Sequence, residues 1–265
     1  MNHGFRSEFI YQVFALLISF ILVHAAYLTL IRPNAAAFTQ EQRVLIAADR
    51  DYVEQRSIYV VLQDYEQETC FILMFWAMAI LFYKGLNSYR QQSLLDRDLL
   101  ELPPELPIGQ EDVRELSDKL QRLPEQQRSF LLPRAMLTAV ERFGATNNVQ
   151  DVSTASRDIC ESEAERLESE LSIIRYIAWA IPSVGFIGTV RGIGDALAQA
   201  HRAVEGDITG VTQSLGVAFN STFIALVISI VLMFFVHQLQ LAQERLVLDT
   251  ERYVDHWFIR RLKTS

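Results

Sequence analysis

Four long stretches of the chain carry no formal charge: residues 10–31 (22 residues), 69–83 (15), 176–190 (15) and 208–236 (29). A bilayer core takes about 20 apolar helical residues. The first and last stretches meet that length unaided. The second reaches it by taking in Lys84, Gly85 and Leu86, the third by taking in Ile173, Ile174 and Arg175. In each case the alkyl stem of the cation lies along lipid while its head reaches water. No run alternates apolar and polar residues as a strand does. The pattern predicts an all-α integral membrane protein with four transmembrane helices.

The soluble parts are also patterned. Residues 32–68 mix Ala, Gln and charges with few breakers after Pro33, which predicts one or two short helices lying over the membrane. Residues 102–109 hold three prolines and a glycine and predict a loop. Two short helices follow, over 110–121 and 125–143, with Pro124 between them and a second break at 144–148. From Val152 the pattern is helical and runs on into the third span, with Ile159, Leu167, Leu171 and Ile174 at helical spacings beside a run of glutamates. Beyond the fourth span, Leu239, Leu246, Tyr253 and Trp257 form an apolar seam. The last two spans are therefore expected to extend into the cytoplasm as long helices.

Charge sets the orientation. With four spans, 18 Lys and Arg fall on the side of the N-terminus, the 84–175 segment and the C-terminal tail, against 6 on the other side. Positive residues favour the cytoplasm, so both termini are expected inside. The expected organisation is an N-terminal region with the first span (1–31), an extracytoplasmic helical segment (32–68), the second span (69–86), a cytoplasmic helical region (87–172), the third and fourth spans (173–236) and a cytoplasmic C-terminal helix (237–265). Val23-His24-Ala25 resembles a signal cleavage site, but Glu8 in the leading segment and the apolar run to Ile31 favour an uncleaved helix. Either way the segment after residue 31 lies outside.

The net charge of −8, with no Lys/Arg run, excludes a nucleic-acid partner. Cys70 and Cys160 make neither a disulfide framework nor a zinc site, and neither metal nor cofactor is expected. The spans hold no carboxylate pair, metalloprotease motif or Ser-His constellation, so an enzyme is not expected. His24 in the first span is expected to face a neighbouring helix as a neutral donor, and His237 to sit at the inner interface.

Candidate chemistry gathers in the third and fourth spans. Gly185, Gly188 and Gly192 are small residues one turn apart, which lets membrane helices approach closely. Pro182 leaves the carbonyl four residues back without its helical donor and predicts a kink. Thr189 puts a hydroxyl into this apolar helix. Asn220, Ser221 and Thr222 do the same in the last span, where polar groups are costly unless paired or wet. They are candidates for a polar lining shared with Thr189, the alternative being interhelical or same-helix hydrogen bonding. Arg191 and Asp195, four apart just past the third span, are a possible ion pair at the mouth. A nucleotide loop is discounted, because Gly192-x-Gly194 lacks a third glycine at position 197 and no strand precedes it.

The run Gly-Phe-Ile-Gly-Thr-Val-x-Gly-Ile from Gly185, and the hairpin into Ala218-Phe219-Asn220-Ser221-Thr222 with Ala225-Leu226, resemble the signature of the MotA/TolQ/ExbB proton channel family over about residues 170–240. Two N-terminal spans resemble the MotA arrangement more than the three-span one. The resemblance implies a homo-oligomeric ring, a pentamer, in the bacterial inner membrane. It also implies a pair of single-span partners of the MotB/ExbD/TolR kind, each with a transmembrane Asp that binds the proton. Thr189 falls on the family's Thr after Gly, and Ser221 and Thr222 fall near its second Thr. Some members carry an acid in the last span. This chain has none there, and Asn220 is the nearest polar candidate. The implied function is a proton-conducting subunit that couples ion flow to movement of its partner. The alternative is a non-conducting scaffold for a signalling or defence partner.

Overall fold

The structure, a computed structural model, describes residues 2–48, 55, 57–95 and 107–263, with the side chains of residues 2–7 and Ala47 excepted. Among the described residues every extended element is helical, and the isolated pairing of Ile108 with Leu262 is the sole β-type bridge. The chain is an all-α protein with four helices long and apolar enough to cross a membrane. Of the predicted loop 102–109, residues 102–106 lie outside the described residues and 107–109 are not helical.

The first span continues as helix beyond its uncharged run. Helix α1 (Asn2–Ala26) passes through a π turn (Tyr27–Ile31) directly into α2 (Arg32–Ala48). Pro33 lacks an N–H, and the wider turn just before it absorbs the mismatch. The Asn34 side chain donates to the Leu30 carbonyl, 2.6 Å away. After α3 (Ile58–Leu62), α4 runs over Tyr65–Leu95, four residues earlier than the uncharged run begins. Glu66 and Glu68 lie in its first turn, where the helix dipole favours negative charge.

Further on, α5 (Val113–Gln121) follows a short 3₁₀ turn. The predicted 125–143 helix is divided into α6 (Glu125–Arg128) and α7 (Leu131–Thr146). Phe130 is extended between them, and the Ser129 hydroxyl donates to the Gln126 carbonyl, 2.7 Å away, which closes α6 early. Pro133 fits the first turn of α7, where backbone N–H groups have no intrahelical partner. The break expected at 144–148 narrows to Asn147, left-handed at φ 47°, and Asn148, whose side chain caps α8 (Val149–Glu170) by accepting from the Gln150 N–H. A turn at Leu171 separates α8 from α9 (Ser172–Ala198). Then come α10 (Ala200–Val204) and α11 (Thr209–Trp257), the longest helix at 49 residues.

The chain forms two compact units, Met1–Leu81 with Ile173–Val236, and Phe82–Ser172 with His237–Ser265. In the first, four helices alternate in direction. The Tyr11 hydroxyl donates to the Ala79 carbonyl (3.0 Å) and the Trp76 indole to the Gln12 carbonyl (2.9 Å), tying α1 to α4. Trp179, Phe186, Phe223 and Phe234 point outward from this unit.

The second unit has a conventional apolar core around Leu116, Leu131, Met136, Phe143, Val152 and Val254. Phe258, fully buried, stands edge-on to Phe143 at 6.5 Å. Ile108 bonds Arg261 and Lys263 through its backbone (2.8 and 3.0 Å). The buried carboxylate of Glu163 is held by Arg134 (3.0 Å) and Arg166 (2.5 Å), and Gln91 caps α7 by accepting from the Leu131 N–H (3.0 Å). Burial, with Glu251 and Glu163 adding to it, pushes the Cys160 thiol up to about 11, so it stays a thiol at neutral pH. Phe258→Ala is expected to lower stability by about 3–5 kcal/mol, as cavity-forming aromatic truncations do. Thermal unfolding of the full chain, followed by circular dichroism, checks this.

Candidate functional site

Helices α9 and α11 meet along a ladder of small residues. A Cβ built on Gly192 would lie 2.8 Å from the Ala218 nitrogen and the Ser214 carbonyl oxygen. One on Gly188 would lie 2.6 Å from Ser221 Oγ, and one on Gly185 3.0 Å from the Ser221 carbonyl oxygen and against Ala225. The pairs run antiparallel, one helical turn per rung. All three glycines face inward, as the sequence spacing predicts.

Close backbones bring hydroxyls across the interface. The Thr189 hydroxyl donates to the Ala218 carbonyl on α11 at 2.9 Å, and the Thr222 hydroxyl donates to the Gly185 carbonyl on α9 at 3.2 Å. The two hydroxyls also touch each other. Thr189 lies 3.5 Å from its own helix's Gly185 carbonyl, so its stronger bond is the interhelical one. Pro182 frees the carbonyl of Ala178, and the Ser229 hydroxyl of α11 donates to that oxygen at 3.0 Å. The proline is thus accommodated by a partner helix rather than by solvent.

The other candidates divide. Ser221 is buried on the seam, donating to the Val217 carbonyl at 3.0 Å and accepting from Gln67 Nε2 at 3.4 Å. Asn220 is about 200° around the helix from Thr222, is half-buried, and has no hydrogen-bond partner among the described residues. The structure therefore joins Thr189, Thr222 and Ser221, and leaves Asn220 on the opposite flank.

The pair expected between Arg191 and Asp195 does not form. Arg191 instead grips Glu66 with two contacts of 2.8 Å and reaches Asp64 at 3.6 Å. Helix α4 begins early enough to carry Glu66 against Gly188, whose built Cβ would lie 3.2 Å from Glu66 Cγ. A forked guanidinium–carboxylate contact outcompetes an exposed same-helix pair. Asp195 is exposed.

A second charged group was not foreseen. Glu68, 5% exposed, lies 2.6 Å from His24 Nδ1 and pairs with Arg32. In an unbroken α-helix, residues eight apart point about 80° out of line. The π turn between His24 and Arg32 removes most of that offset, so both face Glu68. Arg32 also stacks over the Tyr65 ring at 4.2 Å. The only hint of this in the sequence was two acids immediately before an apolar run. No group of His, Cys, Asp and Glu among the described residues is arranged to hold a metal.

Gly188→Val is expected to separate α9 from α11 and lower stability by about 1–3 kcal/mol, the usual cost of overpacking. Gly194, with nothing within 4 Å of its built Cβ, is the control. Gly194→Ala is expected to stabilise the helix by about 0.5–1 kcal/mol. Thermal unfolding of both variants in detergent measures the difference.

No curated protein and no solved structure matches the chain. Residues 127–252, from the end of α6 to near the end of α11, match the MotA/TolQ/ExbB proton channel family. The matched stretch contains the whole glycine ladder and the Thr189–Thr222 pair, so the similarity to that family covers the two helices that carry the site.

Proposed function

We propose that the chain is the ring subunit of a proton-conducting, energy-transducing complex of the bacterial inner membrane, with both termini cytoplasmic. Its copies assemble as a pentamer around single-span helices of the MotB/ExbD/TolR kind, each bearing a transmembrane Asp. The observation that carries this reading is the Thr189–Thr222 hydroxyl pair, set between two uncharged helices inside the family-matched segment.

The chemistry divides between the subunits. A carboxyl buried in a dry interface is held neutral, because ionisation in low dielectric is costly, and it ionises on meeting water or a cation. A hydroxyl donates and accepts, so it passes a proton on without carrying charge. Thr189, Thr222 and Ser221 supply such hydroxyls. The ladder at Gly185, Gly188 and Gly192 fixes their spacing, so a moving partner helix meets a constant surface.

Both hydroxyls also satisfy backbone carbonyls, which favours a second reading, a non-conducting scaffold in which they only pack helices. Proton flux separates the two. With the complex purified from native membranes and reconstituted in vesicles holding a pH-sensitive dye, Thr189→Val with Thr222→Val is expected to reduce flux at least tenfold while the ring still assembles. Unchanged flux in that double variant rejects the conducting role of the pair.

A further inference from the structure

We infer that Asp64 is a proton-loading carboxyl for this path, three residues before the buried Gln67 that bonds Ser221. The inference rests on the conducting reading above.

Position comes first. Asp64 lies just before α4, whose first turn packs on the same stretch of α9 and α11 as the hydroxyl pair. Gln67, fully buried, donates from Nε2 to Ser221 Oγ at 3.4 Å and to the Val61 carbonyl at 3.1 Å. Ser221 and Glu66 both pack on Gly188, the residue before Thr189. The first turn of the second span therefore stands next to the hydroxyls of the last two.

Charge balance comes second. Three carboxylates gather here, Asp64, Glu66 and Glu68, with two guanidiniums, Arg191 and Arg32. Glu68 is matched by Arg32 and touched by His24. Glu66 takes Arg191 in a forked contact at 2.8 Å. Asp64 is left with the same arginine at 3.6 Å through one oxygen only. It is the least compensated acid of the three, and the one whose protonation balances the cluster.

Hydrogen bonding comes third. Asp64 Oδ2 and Gln67 Oε1 are buried and have no donor. An ionised carboxylate with a buried, unmatched oxygen is unfavourable. A proton on Asp64 converts an acceptor into a donor. Burial raises the Asp64 pKa, with Glu66 adding to it and Arg191 and Gln67 opposing it.

The facing groups are Arg191 from α9, Glu66 and Gln67 from α4, and Tyr27 from the π turn. Beyond them, Arg32 pairs with Glu68, and the uncharged Ser221 of α11 meets Gln67. In the loading step the Asp64 carboxylate binds a proton from water at this end of the bundle and becomes neutral. In the release step that O–H bond breaks, the proton passes to a water on the Ser221 side, and the carboxylate returns.

The test uses the complex in native membranes with dicyclohexylcarbodiimide, which adds to protonated carboxyls in apolar surroundings. Peptide mass analysis is expected to find the adduct on Asp64 and not on Glu66 or Glu68. Labelling should fall as pH rises, through a midpoint above that of an exposed aspartate. In reconstituted vesicles, Asp64→Asn is expected to cut proton flux at least tenfold, and Asp64→Glu to keep most of it. An unlabelled Asp64 overturns the inference whatever the Asn variant does, so a failure of that variant to assemble does not shelter it. Wild-type flux in Asp64→Asn overturns it too, and the conducting reading survives if Thr189→Val with Thr222→Val still stops the flux. If that double variant conducts normally, the reading fails and this inference fails with it.

Discussion

Helices in lipid gain nothing from burying apolar surface against one another, because the tails they leave are as apolar as the side chains they meet. What holds them is contact at short range and hydrogen bonds that cross between them. The approach of α9 to α11 at Gly185, Gly188 and Gly192 supplies both. Only at that separation do Thr189 and Thr222 reach carbonyls on each other's helix, and only there does Ser229 reach the oxygen that Pro182 leaves free. A wider interface would leave the Ala178 carbonyl without its donor and break the bonds that the two threonines make across the seam. The same contact that packs the helices therefore also places the hydroxyls.

Buried charge is handled alike in the two units. Glu163 is shared by Arg134 and Arg166, and Glu68 by Arg32 and His24. In each, a carboxylate that would be expensive alone is met by two donors from different turns or helices. Removing one partner from such a group costs more than the pair contributes in net stability, because the remaining charge stays buried. Asp64 is the exception, with one distant arginine and one unmatched oxygen.

Much of this was legible in the chain. Spans can be read from missing charge, because bilayer thickness sets a length that few soluble helices imitate. The ladder can be read because Gly185, Gly188 and Gly192 repeat at the helical period, and Leu239, Leu246 and Tyr253 lie buried as their spacing requires. What could not be read was where charged residues join an apolar helix. Glu66 and Glu68 fall outside any uncharged run, so the pattern starts the second span at Thr69, four residues after α4 begins. With those two acids misplaced, Arg191 had only Asp195 in reach. Asn220, Ser221 and Thr222 are adjacent in sequence, yet helical geometry sends them to three different sides. The split at Phe130 depended on a local serine bond with no periodic signature.

The π turn at Tyr27–Ile31 inserts one residue into the register of the first long helix. Up to its first residue, Ala15, Ser19, Val23 and Tyr27 keep one face inward at every fourth residue. Beyond it, Ala35, eight residues on from Tyr27, is buried again, and Gln42 follows seven residues later. The added residue acts as a gear tooth, letting one unbroken rod carry the same inward face past Pro33. A loss or gain of one residue there would throw the rod's two halves out of mesh.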